Sequence, residues 1–176
     1  NRCTILSANG PLNLIIPVIK NHVNKILIKD VKIDNQKKWK SQHWNAICSA
    51  YRNSPYFEFY EHEVKSLIFS NEENLFKFNL TIIKKILELL EIEKKLTLKD
   101  SFLKEYLNSD DFRYKIHPKI NFIEIDDRFC PLKYLQVYNY KFEFVPNLSI
   151  LDLIFNMGPE SVLILENSTI ALNYKK

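Results

Sequence analysis

The run Arg2-Cys-Thr-Ile-Leu-Ser-Ala-Asn9-Gly10-Pro-Leu-Asn-Leu-Ile-Ile-Pro17-Val-Ile19 decides the fold class. Two apolar segments flank Asn9-Gly10, the dipeptide best suited to positive φ at both central positions of a tight turn, so a β-hairpin is expected. Pro17 has no N–H to give to a ladder, and the second strand must lie at an edge or end nearby. Further on, Ile26-Leu-Ile-Lys-Asp-Val-Lys-Ile33 alternates well enough at its start to predict a third strand. The period then changes. Trp39, His43, Ile47 and Tyr51 recur every four residues with Trp44 and Cys48 alongside, behind Asp34 or Asn35 as N-cap, which describes an amphipathic helix. Pro55 disfavours the α conformation at Ser54 and stops it, and a second helix is expected from Tyr56 to Phe69. The fold class that follows is α+β, with the hairpin and further strands in a mixed sheet covered by several helices.

Ser70-Asn-Glu-Glu73 has the spacing of a capping box and introduces a helix over Asn74 to Ile92. Its apolar stripe, Leu75, Phe78, Ile82, Ile83, Ile86, Leu89 and Leu90, is assigned to the core. Patterning weakens between Lys94 and Pro131. A short strand is expected at Lys95 to Leu98, a turn or short helix around Ser101 to Leu107, and a charged segment through His117-Pro118. Asn147-Leu-Ser149-Ile-Leu-Asp152 repeats the capping spacing, and Asn156-Met-Gly158-Pro159 is a stop signal, so a short buried helix follows Pro146.

The 176 residues fit one domain, 46% hydrophobic and 26% charged, an ordinary composition for a globular chain. Three cysteines, Cys3, Cys48 and Cys130, are widely spaced and odd in number, which suggests neither a disulfide framework nor a zinc ribbon and fits a reducing, cytoplasmic compartment. The longest apolar runs are too short to cross a bilayer, and no secretory leader pattern is visible, so neither a membrane span nor export is expected. The charge of +4 is spread as interleaved Lys and Glu and does not favour nucleic-acid binding. Rich usage of Lys, Ile and Asn with little Gly is compositional bias.

Among ionisable residues His43 stands out, because it lies on the apolar stripe of its helix between Trp39 and Ile47. A histidine there can serve as general base or orient a substrate; the alternative is a packed histidine whose ring nitrogens bond neighbouring backbone. Cys48 lies about 140° around the helix from His43, which speaks against a dyad from that pair. Cys3 or Cys130 can reach His43 only through tertiary folding. His22, His43, His62 and His117 have no metal-binding spacing, so no metal is expected. With only Gly10 and Gly158 in the chain, glycine-rich phosphate loops are excluded, and no cofactor is expected. Asp152 reads as a catalytic carboxylate at a helix start or, more simply, as the third partner of the Ser149 cap. Arg2 and Arg113 stand out where Lys is preferred, as planar forks suited to carboxylate or phosphate.

The residues Asn1-Arg-Cys, Ala8-Asn-Gly, Pro17-Val, Val31-x-Ile-Asp, Trp39, His43-Trp, Tyr51 and Ser54-Pro-Tyr-Phe, followed by Tyr134-x-Gln-Val-Tyr and Phe144-x-Pro-Asn-Leu-Ser-Ile-Leu-Asp-Leu-Ile-Phe-Asn-x-Gly-Pro159, form a pattern. It resembles the WbqC-like protein family over essentially the whole chain, and looks most like members from Bacteroidota. Family members usually carry a further segment ahead of the Asn-Arg pair, so residues 1–176 are expected to be one WbqC-like domain that is N-terminally truncated. The resemblance implies a bacterial cytoplasmic protein, its namesake being associated with O-antigen and other surface-polysaccharide gene clusters. It brings no established reaction. Two expectations stand beside each other. One is a transferase moving an acyl or aminoacyl group to an amino sugar, with His43 as base and Arg2 and Gln136 binding a small or sugar-linked substrate. The other is a non-catalytic binding or scaffold protein. Convergence of Arg2, His43 and Gln136 on one concave surface would favour a site.

Overall fold

The computed structural model describes residues 1–20, 26–99, 101–102, 104, 111–113 and 128–169. Strands β1 (Arg2–Ser7) and β2 (Gly10–Ile15) form an antiparallel hairpin with Cα partners from Ser7 and Gly10 at the turn to Arg2 and Ile15 at the open end. The turn differs from the expected one by a residue. Ala8 and Asn9 form the loop, and only Gly10 has positive φ, at 103°. That is the arrangement of a turn closed by a glycine in a conformation other residues avoid. The Ser7 hydroxyl donates to Gly10 O at 2.7 Å and accepts from Asn9 N–H, which ties the loop down. β2 ends two residues before Pro17, as its missing N–H requires.

The third strand expected over Ile26 to Ile33 does not form. Ile28–Asp30 is a single 3₁₀ turn, and Ile26, Leu27 and Ile28 are exposed. Beyond it the backbone divides its partners: Ile19 N–H donates to Lys32 O, while Ile33 N–H donates to Glu73 O and Leu75 N–H to Val31 O. Neither neighbour runs alongside for long enough to make a ladder, and only isolated bridges result. Among the described residues the sheet therefore has two strands and is antiparallel, not mixed. Residues 95–98 form no strand either. The expected turn or helix at Ser101 to Leu107 and the segment through His117-Pro118 fall largely or wholly outside the described residues.

Helices α1 (Trp39–Tyr51), α2 (Phe57–Ile68), α3 (Leu75–Leu89), α4 (Ile150–Met157) and α5 (Ser161–Asn167) complete the architecture of mixed helix and strand. α1 is not capped by a side chain at its start. Asp34 Oδ1 instead accepts from Gln36 N–H, and Asn35 Oδ1 from the Trp39 indole. Asn74, not Ser70, caps α3 by accepting from Lys77 N–H at 3.0 Å. Asn74 is the residue next to the helix, whereas Ser70 lies four residues too early to reach an unpaired N–H.

The core forms where α1 meets the hairpin and the aromatic residues of α2 and α4. Ile5 and Leu14 are buried with Ile47, Ala50 and Tyr51, and the Tyr51 and Phe57 rings both contact Phe155, at 5.3 and 5.1 Å between centroids. Tyr51 Oη accepts from Leu6 N–H, so a helix side chain satisfies a buried strand donor. Ser149 N–H donates to Thr4 O at 2.7 Å and fixes the start of α4 against β1. The α3 stripe is only partly buried: Leu75, Phe78 and Leu90 are inside, Ile82, Ile86 and Leu89 are half-buried, and Ile83 is 49% exposed.

Candidate functional site

The incomplete burial of α3 leaves a cavity of about 300 Å³ between it, α1, α2 and the open end of the hairpin. Helical periodicity builds most of its wall. Trp39, His43 and Ile47 come from α1 at intervals of four, Phe78, Ile82 and Ile86 from α3 at the same interval, and Val64, Leu67 and Ile68 close the α2 side. Leu14 and Ile16 enter from the hairpin. Polar groups are few: Asn1, Arg2 and Cys3 at the end of β1, Ser149 at the cap of α4, Asn79 on α3, and His43 itself.

His43 is half-buried, its ring edge-on to the Trp39 indole at 5.2 Å. Burial pushes its pKa below the ordinary 6.5, and a hydrogen bond with the Ile15 backbone only partly opposes this. The imidazole is consequently neutral at neutral pH, the state in which one ring nitrogen can accept a proton. Arg2 is exposed, lines the same cavity and makes no ion pair among the described residues. Its guanidinium is therefore available to an anion. Cys3 also lines the cavity; the residue is exposed overall, but burial around its thiol raises the pKa, and a hydrogen bond with Ser149 acts in the other direction. The thiol form prevails there.

Gln136 does not join this group. It is 3% exposed and wholly engaged elsewhere: Nε2 donates to Val145 O and to Asp152 Oδ2, each at 2.9 Å, and Oε1 accepts from Val145 N–H. Asp152 is fully buried. Its Oδ2 also accepts from Tyr134 Oη at 2.6 Å, while Oδ1 has no hydrogen-bond partner among the described residues. Burial raises the Asp152 pKa above 3.8, and Tyr134, Gln136 and the neighbouring Tyr51 hydroxyl pull it back. The expected reciprocal cap is thus only half made. Ser149 Oγ accepts from Leu151 N–H, but Ser149 N–H goes to Thr4 and the Asp152 carboxylate turns inward.

Arg2 and His43 are brought to one concave surface, and Gln136 to a separate buried network. Cys48, on α1, does not line the cavity, and neither does Cys130; all three cysteines are free thiols. Arg113 is paired with Asp111. The sequence singled out neither Asn79 nor Ser149 as cavity residues. The alternation of β1, which puts Cys3 on the side of the core residue Ile5, was the one available pointer to Cys3. Among the described residues no cluster of three metal-ligating side chains occurs, and no helix is long and apolar enough to cross a membrane.

Compared with known proteins, residues 1–105 and 103–164 match the model of the WbqC-like protein family. No curated protein and no solved structure matches the chain.

Proposed function

Starting from a chain that belongs to the WbqC-like protein family, we propose that the cavity is a substrate site and that the protein is a transferase of an acyl or aminoacyl group in surface-polysaccharide biosynthesis. The observation that carries this reading is the meeting of Arg2 and His43, forty-one positions apart in the chain, on one cavity of about 300 Å³. Pockets that hold small molecules have this character: apolar walls, a few polar groups that fix orientation, and a volume at or above this one. In the proposed reaction, Arg2 holds the anionic end of the substrate. Neutral His43 removes a proton from the incoming amine as it attacks the carbonyl carbon, and the leaving group departs with the electron pair of the bond that breaks.

A second reading is a binding protein without chemistry. It is favoured by the partners of His43: among the described residues these are the Ile15 backbone and the Trp39 ring, with no carboxylate to hold the imidazolium that a base becomes.

Transfer from acyl and aminoacyl donors to an amino sugar, assayed with the wild-type protein, His43→Gln and Arg2→Gln, tests the proposal. The expected result is transfer by the wild type, loss of turnover in His43→Gln and a raised KM in Arg2→Gln, with melting temperatures close to that of the wild type. Binding without turnover in the wild type would favour the second reading.

A further inference from the structure

We infer that the group received by the cavity is the hydrocarbon tail of a medium-chain acyl substrate, with its carboxyl end at Arg2 and His43. This rests on the reading of the cavity as a substrate site and decides between the acyl and aminoacyl classes that it leaves open. The walls are Leu14, Ile16 and Ile47 with the apolar faces of α2 and α3, and the polar groups gather toward the end of β1 and the start of α4. A sugar or a polar aminoacyl group placed among those walls would lose its water and find few polar groups, Asn79 among them, to replace it, an unfavourable exchange. A hydrocarbon chain loses nothing there and gains the burial of its surface.

Size sets the length. A dry apolar cavity of about 150 Å³ takes benzene, with its six carbons, and this one measures about 300 Å³. Scaled from that reference, the tail has about eight to twelve carbons. Charge sets the orientation. Arg2 carries the cationic side chain among the described lining residues and has no ion-pair partner among the described residues, and it lies at the hairpin end of the cavity with Asn1 and Cys3. A carboxylate there accepts two parallel N–H donors from the guanidinium; in an activated acyl donor, which carries the leaving group, the carbonyl oxygen takes that place, with the carbonyl carbon at the same end as the His43 imidazole.

Calorimetric titration of the full chain with decanoate, butyrate, decanol, decanoyl-N-acetylcysteamine and N-acetylglucosamine tests the inference. Decanoate is expected to bind at least tenfold more tightly than butyrate, which lacks the tail, and than decanol, which lacks the anion. Arg2→Gln should bring decanoate to the level of decanol without changing decanol. Ile82→Phe, and independently Ile86→Phe, should fill the cavity and weaken both ligands while a cooperative melt shows the fold intact. Decanoyl-N-acetylcysteamine keeps the tail, the carbonyl and a leaving group, and is expected to bind more tightly than decanol; binding no tighter than decanol would overturn the placement of the acyl carbonyl at Arg2. Equal affinity for butyrate and decanoate, binding of N-acetylglucosamine without decanoate, or decanoate binding insensitive to all three substitutions would overturn it. Decanoate binding with no acyl transfer refutes the transferase reading alone, and aminoacyl transfer with no decanoate binding refutes this inference alone.

Discussion

Tyr134 donates its hydroxyl to Asp152 Oδ2 across 2.6 Å, from a loop residue to a fully buried carboxylate on α4. Gln136 supplies the second donor to the same oxygen and also fastens the backbone of Val145, so one carboxylate anchors the segment that leads into α4. Removal of either donor exposes the cost of a buried carboxyl group that is left short of partners.

Tyr134→Phe keeps the ring and deletes that donor, and is expected to lower stability by about 1–3 kcal/mol. In an Asp152→Asn background the same deletion should cost less, with a coupling of about 0.5–3 kcal/mol. Urea unfolding of the four proteins of this cycle gives the coupling directly, and additive losses would show that the two side chains act independently.

Two of the shifted groups, Asp152 and His43, give opposite slopes with pH. Asp152 has a raised pKa in the folded state, so its contribution is fully present below 3.8 and is lost as pH rises through the folded value. His43 has a lowered one: its contribution is present above 6.5 and is lost as pH falls through the folded value. Stability curves against pH should therefore lose their His43-dependent acid slope below pH 6.5 in His43→Gln, and lose the decline above 3.8 in Asp152→Asn. Unchanged slopes in both variants would remove these groups as its source.

Along α3, burial and not sequence spacing sets the cost of truncation. Phe78→Ala is expected to cost about 3–5 kcal/mol because Phe78 is buried against Trp39, its ring edge-on at 5.8 Å. Ile83→Ala should stay within about 0.5 kcal/mol, since Ile83 is 49% exposed. Ile86→Ala should fall between them, because a half-buried side chain on a cavity wall has already lost part of its packing. Thermal or urea unfolding of the three variants reads the order.

Gly158, the C-cap of α4, has φ 54°, and a Cβ on it would lie 2.6 Å from the Cε1 and Cγ atoms of the Tyr56 ring. Gly158→Ala is expected to destabilise by about 1–2 kcal/mol from backbone strain alone, with the displaced ring adding to it. Tyr56→Ala in the same chain should recover only the steric part. Melting temperatures of the single and double variants separate the two contributions.

The local chemistry of the chain determined four of its helices and placed its turn to within a residue, whereas α5 had no reading in the sequence. Four-residue recurrence placed α1 and α3, Pro55 and Gly158 marked where α1 and α4 stop, Ser149 marked where α4 begins, and Pro17 limited β2, because each acts on its own few neighbours through φ, an N–H or one face of a helix. The same local signals misled where a partner was needed. Ile26 to Ile33 alternates like a strand, but a strand also requires a neighbour with a free edge, and those backbone groups are divided between residues 17–19 and the entry to α3. Asp152 has the spacing of a cap, yet its carboxylate is drawn inward by Tyr134 and Gln136, eighteen and sixteen residues away. Arg2 and His43 were each legible as candidates from side-chain chemistry, whereas their common cavity exists only because the hairpin packs across α1 and α3 fails to close against it. That is a matter of distance between elements, which no local pattern encodes; the tertiary fold alone decided that Gln136 belongs to the core and that Arg2 and His43 face one space.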